Sequence, residues 1–166
     1  MIKLVHTVDT VLKWFMATLM SAIVLVVCWQ VVSRFVLNAP SSITEELSRS
    51  LLIWIGMVGA AFAYRTGVHL GLDIVTQKFP KATQRKLSML LTAAVVVFAI
   101  VVMVIGGGNL VALTYELNQM SAALNIKMAY IYIAVPLSGV LIAFYGICQL
   151  LCLATDKPVQ PLEGMH

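Results

Sequence analysis

Long runs without a charged side chain constrain this sequence more than any other feature. Residues 87–115 carry none over 29 consecutive positions, and residues 128–155 none over 28. A helix rises about 1.5 Å per residue and the hydrocarbon core of a bilayer is about 30 Å thick, so about 20 apolar residues make one crossing. Residues 14–32, between Lys13 and Arg34, form another such run; residues 50–64, between Arg49 and Arg65, form a shorter one whose polar ends must enter the interface. The alternating ten-residue strands of a membrane β-barrel are missing from the pattern. Composition agrees: 61% of residues are apolar and 11% charged, against roughly 45 to 50% and about 25% in soluble domains.

These runs predict an all-α integral membrane protein with four transmembrane helices, over about 14–36, 47–68, 87–113 and 128–154, in one membrane domain spanning 1–155. The third and fourth runs exceed a perpendicular crossing, so these helices tilt or project. A short interfacial helix is expected before the second crossing, where Ser41, Ser42 or Thr44 can cap and Glu45 and Glu46 suit the positive helix end. Arg49 then pairs with Glu45 one turn on. Residues 156–166, opening with Asp156-Lys157-Pro158, read as a short polar cytoplasmic tail.

Eight of the 11 Lys and Arg residues fall before the first charge-free run, between the second and third, or after the fourth. The other three are Arg34, Arg49 and Lys127. The positive-inside rule therefore places both termini and the central loop in the cytoplasm. The net charge of +4 follows from this loop bias and calls for no nucleic acid, since juxtamembrane lysines are drawn to anionic lipid. A cleaved signal peptide fits poorly: its apolar stretch is about 7 to 15 residues and ends at paired small residues, whereas Leu37-Asn38-Ala39 opens on a large one.

The helix interiors offer little chemistry. Cys28, Cys148 and Cys152 fall within predicted spans, and the last two, one turn apart, lack the further ligands of a metal site. His6, His69 and His166 lie near ends or in a loop, so no two face each other as axial haem ligands. Glu45-Glu46 with Arg49 resembles the motif of membrane-embedded prenyl-protein proteases, but its spacing is one residue short and the third and fourth helices supply no histidine. The reading is not an enzyme, with no catalytic, cofactor-binding or metal-binding residue.

Small residues give the second helix its strongest pattern. Gly59, Ala63, Gly67 and Gly71 recur every four positions, with Gly56 and Ala60 alongside. Such spacing lets another helix approach closely in lipid, so all six are subunit-interface candidates. Arg65, His69 and Asp73 follow at the same spacing and are read, with Arg34, Glu45, Glu46 and Arg49, as interfacial anchors: Arg65 snorkels and His69 bridges toward Asp73. Gly106-Gly107-Gly108 reads as a flexible or closely packed helical segment, and Pro136 as a kink. A transporter acting alone would need midplane polar groups, broken helices and repeats; the chain offers few. The remaining alternative to an accessory subunit is a self-contained small channel or exporter working as an oligomer.

Taken together, Arg34-Phe35 with Asn38, Glu45-Glu46 with Arg49, the stretch from Gly59 through Arg65-Thr66-Gly67-Val68-His69 to Asp73, and Ser121-Ala122-Ala123-Leu124-Asn125-Ile126 leading to Pro136 resemble one family. It is the four-helix small membrane subunit of tripartite ATP-independent periplasmic (TRAP) transporters. The sequence departs where Ser42 or Ile43 replaces an aromatic residue before the paired glutamates, and where Lys127 replaces a proline. The resemblance implies a multi-pass protein of the bacterial inner membrane, in a heteromeric complex with a large transporter subunit and a periplasmic binding protein. It further implies sodium-coupled symport of an organic acid, of the sialic acid or C4-dicarboxylate type. Na+ would belong to the large subunit, and this chain would be its scaffold, with Glu45, Glu46 and Glu116 able to touch the binding protein.

Overall fold

A computed structural model describes residues 2–39, 41–66 and 81–154. Helix α1 spans Ile2–Phe35 and α2 Ser42–Arg65. The third crossing is one rod of three parts: α3, Lys81–Phe98; a π-helical segment, Ala99–Gly106; and α4, Gly107–Glu116. The fourth joins α5, Met128–Tyr132, to α6, Ala134–Ala154. Four helical stretches are long and apolar enough to cross a membrane: Val5–Phe35, Ser42–Arg65, Lys86–Glu116 and Met128–Leu151.

Several boundaries differ from the sequence reading. α1 begins at Ile2 rather than near residue 14, because a helix needs only its backbone ladder and continues past Asp9 and Lys13 at the membrane edge. The interfacial helix expected before the second crossing is no separate element, since α2 runs unbroken from Ser42. Ser41 caps it: its hydroxyl accepts from the Thr44 N–H at 3.5 Å, and Thr44 Oγ1 donates to the Ser41 carbonyl at 3.0 Å. Thr66 closes α2; the continuation expected through Gly67 and Gly71, like the tail over 156–166, lies outside the described residues.

Pro136 explains the interrupted fourth crossing. It has no N–H to offer the Tyr132 carbonyl, and the helix breaks at Ile133. The third rod answers with a widened stretch in which the Gly107 N–H reaches back five residues to the Val102 carbonyl. Here the backbones close up. A Cβ on Gly107 would meet Val135 Cγ1 at 2.9 Å and Pro136 Cδ at 3.1 Å, and one on Gly139 would meet Met103 Cβ at 2.6 Å. The close packing expected of the glycine triplet is thus made by Gly107, which is buried, against the proline kink.

The crossings pack in the order first, second, fourth, third, so α2 and α6 are central and α1 forms an edge. Two apolar clusters hold the layer. Ala61, Ala99, Ile142 and Ala143 join α2 to the third and fourth crossings, while Leu12, Val58 and Tyr145 join α1 to α2 and α6. Lipid-facing hydroxyls on α1 are satisfied locally, Thr10, Thr18 and Ser21 each donating to the carbonyl one turn back. Trp14, Leu25 and Trp29 point outward from α1 at 56 to 72% exposure.

Candidate functional site

The charged groups gather at the two ends of α2. At the end shared with the chain termini, Asp9 of α1 is buried, its Oδ2 3.3 Å from Arg65 Nε. The Tyr145 hydroxyl of α6 donates to Asp9 Oδ1 at 2.8 Å, and the Arg65 guanidinium lies 5.9 Å from the centre of the Tyr145 ring. Three helices therefore meet at one carboxylate, whose charge is compensated by the guanidinium. Arg65, expected as a snorkelling interfacial anchor, thus has an ion-pair partner, Asp9, that the sequence reading did not name. His69 and Asp73 lie outside the described residues.

At the opposite end Glu46 Oε2 accepts from the Ser121 hydroxyl, from the Ala123 N–H at 2.9 Å and from the Leu124 N–H at 3.2 Å. Two successive backbone amides and a hydroxyl make a small anion-binding nest. The loop that supplies it is folded on itself. Ser121 N–H donates to the Ile126 carbonyl at 2.9 Å, Met128 N–H to the Gln119 carbonyl at 2.9 Å, and Asn125 turns the chain with φ 54. Lys127 Nζ sits 3.9 Å over the Tyr115 ring. A weaker contact, Ser48 Oγ to Gln30 Oε1 at 3.4 Å, ties α2 to α1.

The other candidates divide. Glu45 and Arg49 form the expected pair at 3.3 Å, well exposed on both sides, and Arg34 is exposed in the last turn of α1. Gly59 faces inward, where an added Cβ would lie 3.2 Å from Met16 Cε. Gly56, Ala60 and Ala63 are exposed, and Gly56 has nothing within 4 Å of a built Cβ. Gly67 and Gly71 are outside the described residues. The ladder thus separates into an inward step and an outward strip.

Sequence reasoning missed Asp9 and Tyr145, and named Ser121 in a family motif without its contact to Glu46. Asp9 carried a signal: opposite charges at 9 and 65 stand at the same membrane depth in a chain that crosses and returns. Among the described residues no three His, Cys, Asp or Glu side chains converge. The polar groups join crossings at their ends, and the fully buried Ser138 hydroxyl is consumed by the Val135 carbonyl at 2.8 Å.

Four apolar crossings linked in this way define an α-helical multi-pass membrane protein. The model of the DctQ component of tripartite ATP-independent periplasmic transporters matches residues 23–156, and the chain belongs to that family. It is 27% identical over 147 residues to the sialic acid TRAP transporter small permease protein SiaQ of Vibrio cholerae, covering 86% of this chain and 79% of that one. It is 29% identical over 100 residues to the C4-dicarboxylate TRAP transporter small permease protein DctQ of Rhodobacter capsulatus, covering 60% and 44%. It is also 25% identical over 150 residues to the sialic acid TRAP transporter permease protein SiaT of Haemophilus influenzae, covering 90% of this chain and 24% of that one. The chain is accordingly a small membrane subunit of a transporter, not an enzyme, and resides in the bacterial inner membrane.

Proposed function

We propose that this chain is the fixed scaffold beside the large, moving subunit of a sodium-coupled, binding-protein-dependent importer of an organic acid. One observation carries the reading: the carboxylates of Asp9 and Glu46 are spent on joining the chain's own crossings, while Gly56, Ala60 and Ala63 and the apolar flank of α1 face outward. A subunit built so presents a wall. The resemblance to a quarter of a much longer permease supports a unit of this kind working attached to a larger one. The names of the sialic acid and C4-dicarboxylate relatives support an organic acid as substrate, and in this reading Na+ and substrate bind to the large subunit. Both termini lie in the cytoplasm, by the loop charges. Glu45 and Glu116 face the periplasm, where the binding protein arrives; Glu46 is engaged by its own loop.

Close helix approach in lipid depends on small residues. Gly56→Leu with Ala60→Leu should therefore leave the isolated chain folded and weaken its co-purification with the large subunit. An intact complex with normal uptake removes the outward strip from the account. Sodium-dependent uptake by this chain alone in liposomes overturns the scaffold reading in favour of a self-contained channel or exporter.

A further inference from the structure

The four crossings form an open layer, and among the described residues its edge helix α1 packs its backbone only on α2. An open layer of apolar helices in lipid has little to stop its members sliding, because lipid tails are as apolar as the side chains they replace. Directional contacts must then fix register. The stretch of α2 between Glu46 and Arg65 rises about 28 Å at ~1.5 Å per residue, close to the ~30 Å of a hydrocarbon core.

The Asp9–Arg65–Tyr145 cluster and the Glu46 nest therefore stand at the two membrane boundaries of one helix. We infer that they are paired clasps which turn the open layer into a single rigid body, with α2 as its spine and each clasp controlling its own end. The end at the termini is held through α1 and α6 together: Asp9 bridges two helices that do not pack backbone to backbone. The other end is held through the loop between the third and fourth crossings, which Glu46 binds by two amides and a hydroxyl. Neither clasp touches the outward strip of Gly56, Ala60 and Ala63. This role goes beyond the scaffold reading and is measured without the large subunit, so failure of one leaves the other standing.

The test is spin-label distance measurement on the full-length chain in lipid nanodiscs, with Cys28, Cys148 and Cys152 replaced by alanine. One label pair, at Lys13→Cys and Ile147→Cys, reports the end at the termini; another, at Ile43→Cys and Ala122→Cys, reports the opposite end. Asp9→Ala should broaden the first distance distribution about twofold and leave the second as it was, as expected for local opening of one cooperative unit. Glu46→Ala should do the reverse. Tyr145→Phe and Ser121→Ala remove only one hydroxyl each and should give the same local broadening in smaller measure, so the question is answered even if the alanine variants do not fold. Unchanged distributions in Tyr145→Phe and Ser121→Ala overturn the inference. So does broadening of both pairs by a change at one end, which would mean general loosening rather than two separate clasps.

Discussion

The Tyr145 hydroxyl and Asp9 Oδ1, 2.8 Å apart, connect the first and last crossings over the end of the helix that separates them. Removing one member of a buried charged pair strands the other, at a cost of about 3 to 5 kcal/mol. Asp9→Asn should therefore lower the unfolding midpoint in detergent clearly, because Arg65 is only 15% exposed at its side chain. The double change Asp9→Leu with Arg65→Met leaves no stranded charge and should recover most of the loss. A double variant as unstable as the two single changes added together would show that the ion pair is not the interaction at stake.

Glu46→Ala should act on a loop rather than on a helix. The Ala123 and Leu124 amides lose their acceptor, and their hydrogen exchange should accelerate by about an order of magnitude or more. Exchange within α2 itself should hardly change. Protection of these two amides in the variant would mean that the turn closed by Ser121 and Ile126 holds without the carboxylate.

Gly139→Ala and Gly56→Ala make a contrasting pair. The first places a Cβ 2.6 Å from Met103 Cβ and 3.2 Å from the Ala99 carbonyl oxygen, which should cost about 1 to 3 kcal/mol by overpacking. The second meets nothing within 4 Å and should leave the chain alone as stable as before or slightly more so. Thermal unfolding of the two variants side by side checks both.

Arg49→Ala should change stability by less than about 0.5 kcal/mol, since an exposed pair one turn apart on a helix contributes little. Its partner Glu45 is 62% exposed at the side chain. A large loss in the same unfolding assay would point to a contact of Arg49 beyond Glu45.

Much of this architecture could be read from charge spacing. Four crossings, a hydroxyl cap on α2 from among Ser41, Ser42 and Thr44, the Glu45–Arg49 pair and the break near Pro136 each follow from a local rule, and local rules survive folding. What could not be read were relationships between segments far apart. Asp9 precedes the first charge-free run, so nothing local marks it as interior; only its pairing with Arg65, 56 positions on, does. Glu46 looked like a helix-start charge because the donors to its carboxylate lie in a loop some 75 residues on. The π-helical stretch over Ala99–Gly106 has no signature in its own residues, which are uniformly apolar; it lies where the third crossing packs closely on Pro136 and Gly139 of the facing helix.

The order of the crossings in the layer bears on biosynthesis. Val58 and Ala61 of α2 are sealed off by residues of α6, which leaves the ribosome after the other described helices. The second helix must therefore enter the bilayer with that flank against lipid or the insertion machinery, and wait there while the third is made. The packing of α2 is completed only once α6 has been made, and a nascent chain stopped before Tyr145 would hold Asp9 and Arg65 in the membrane without the hydroxyl that joins their helices to α6.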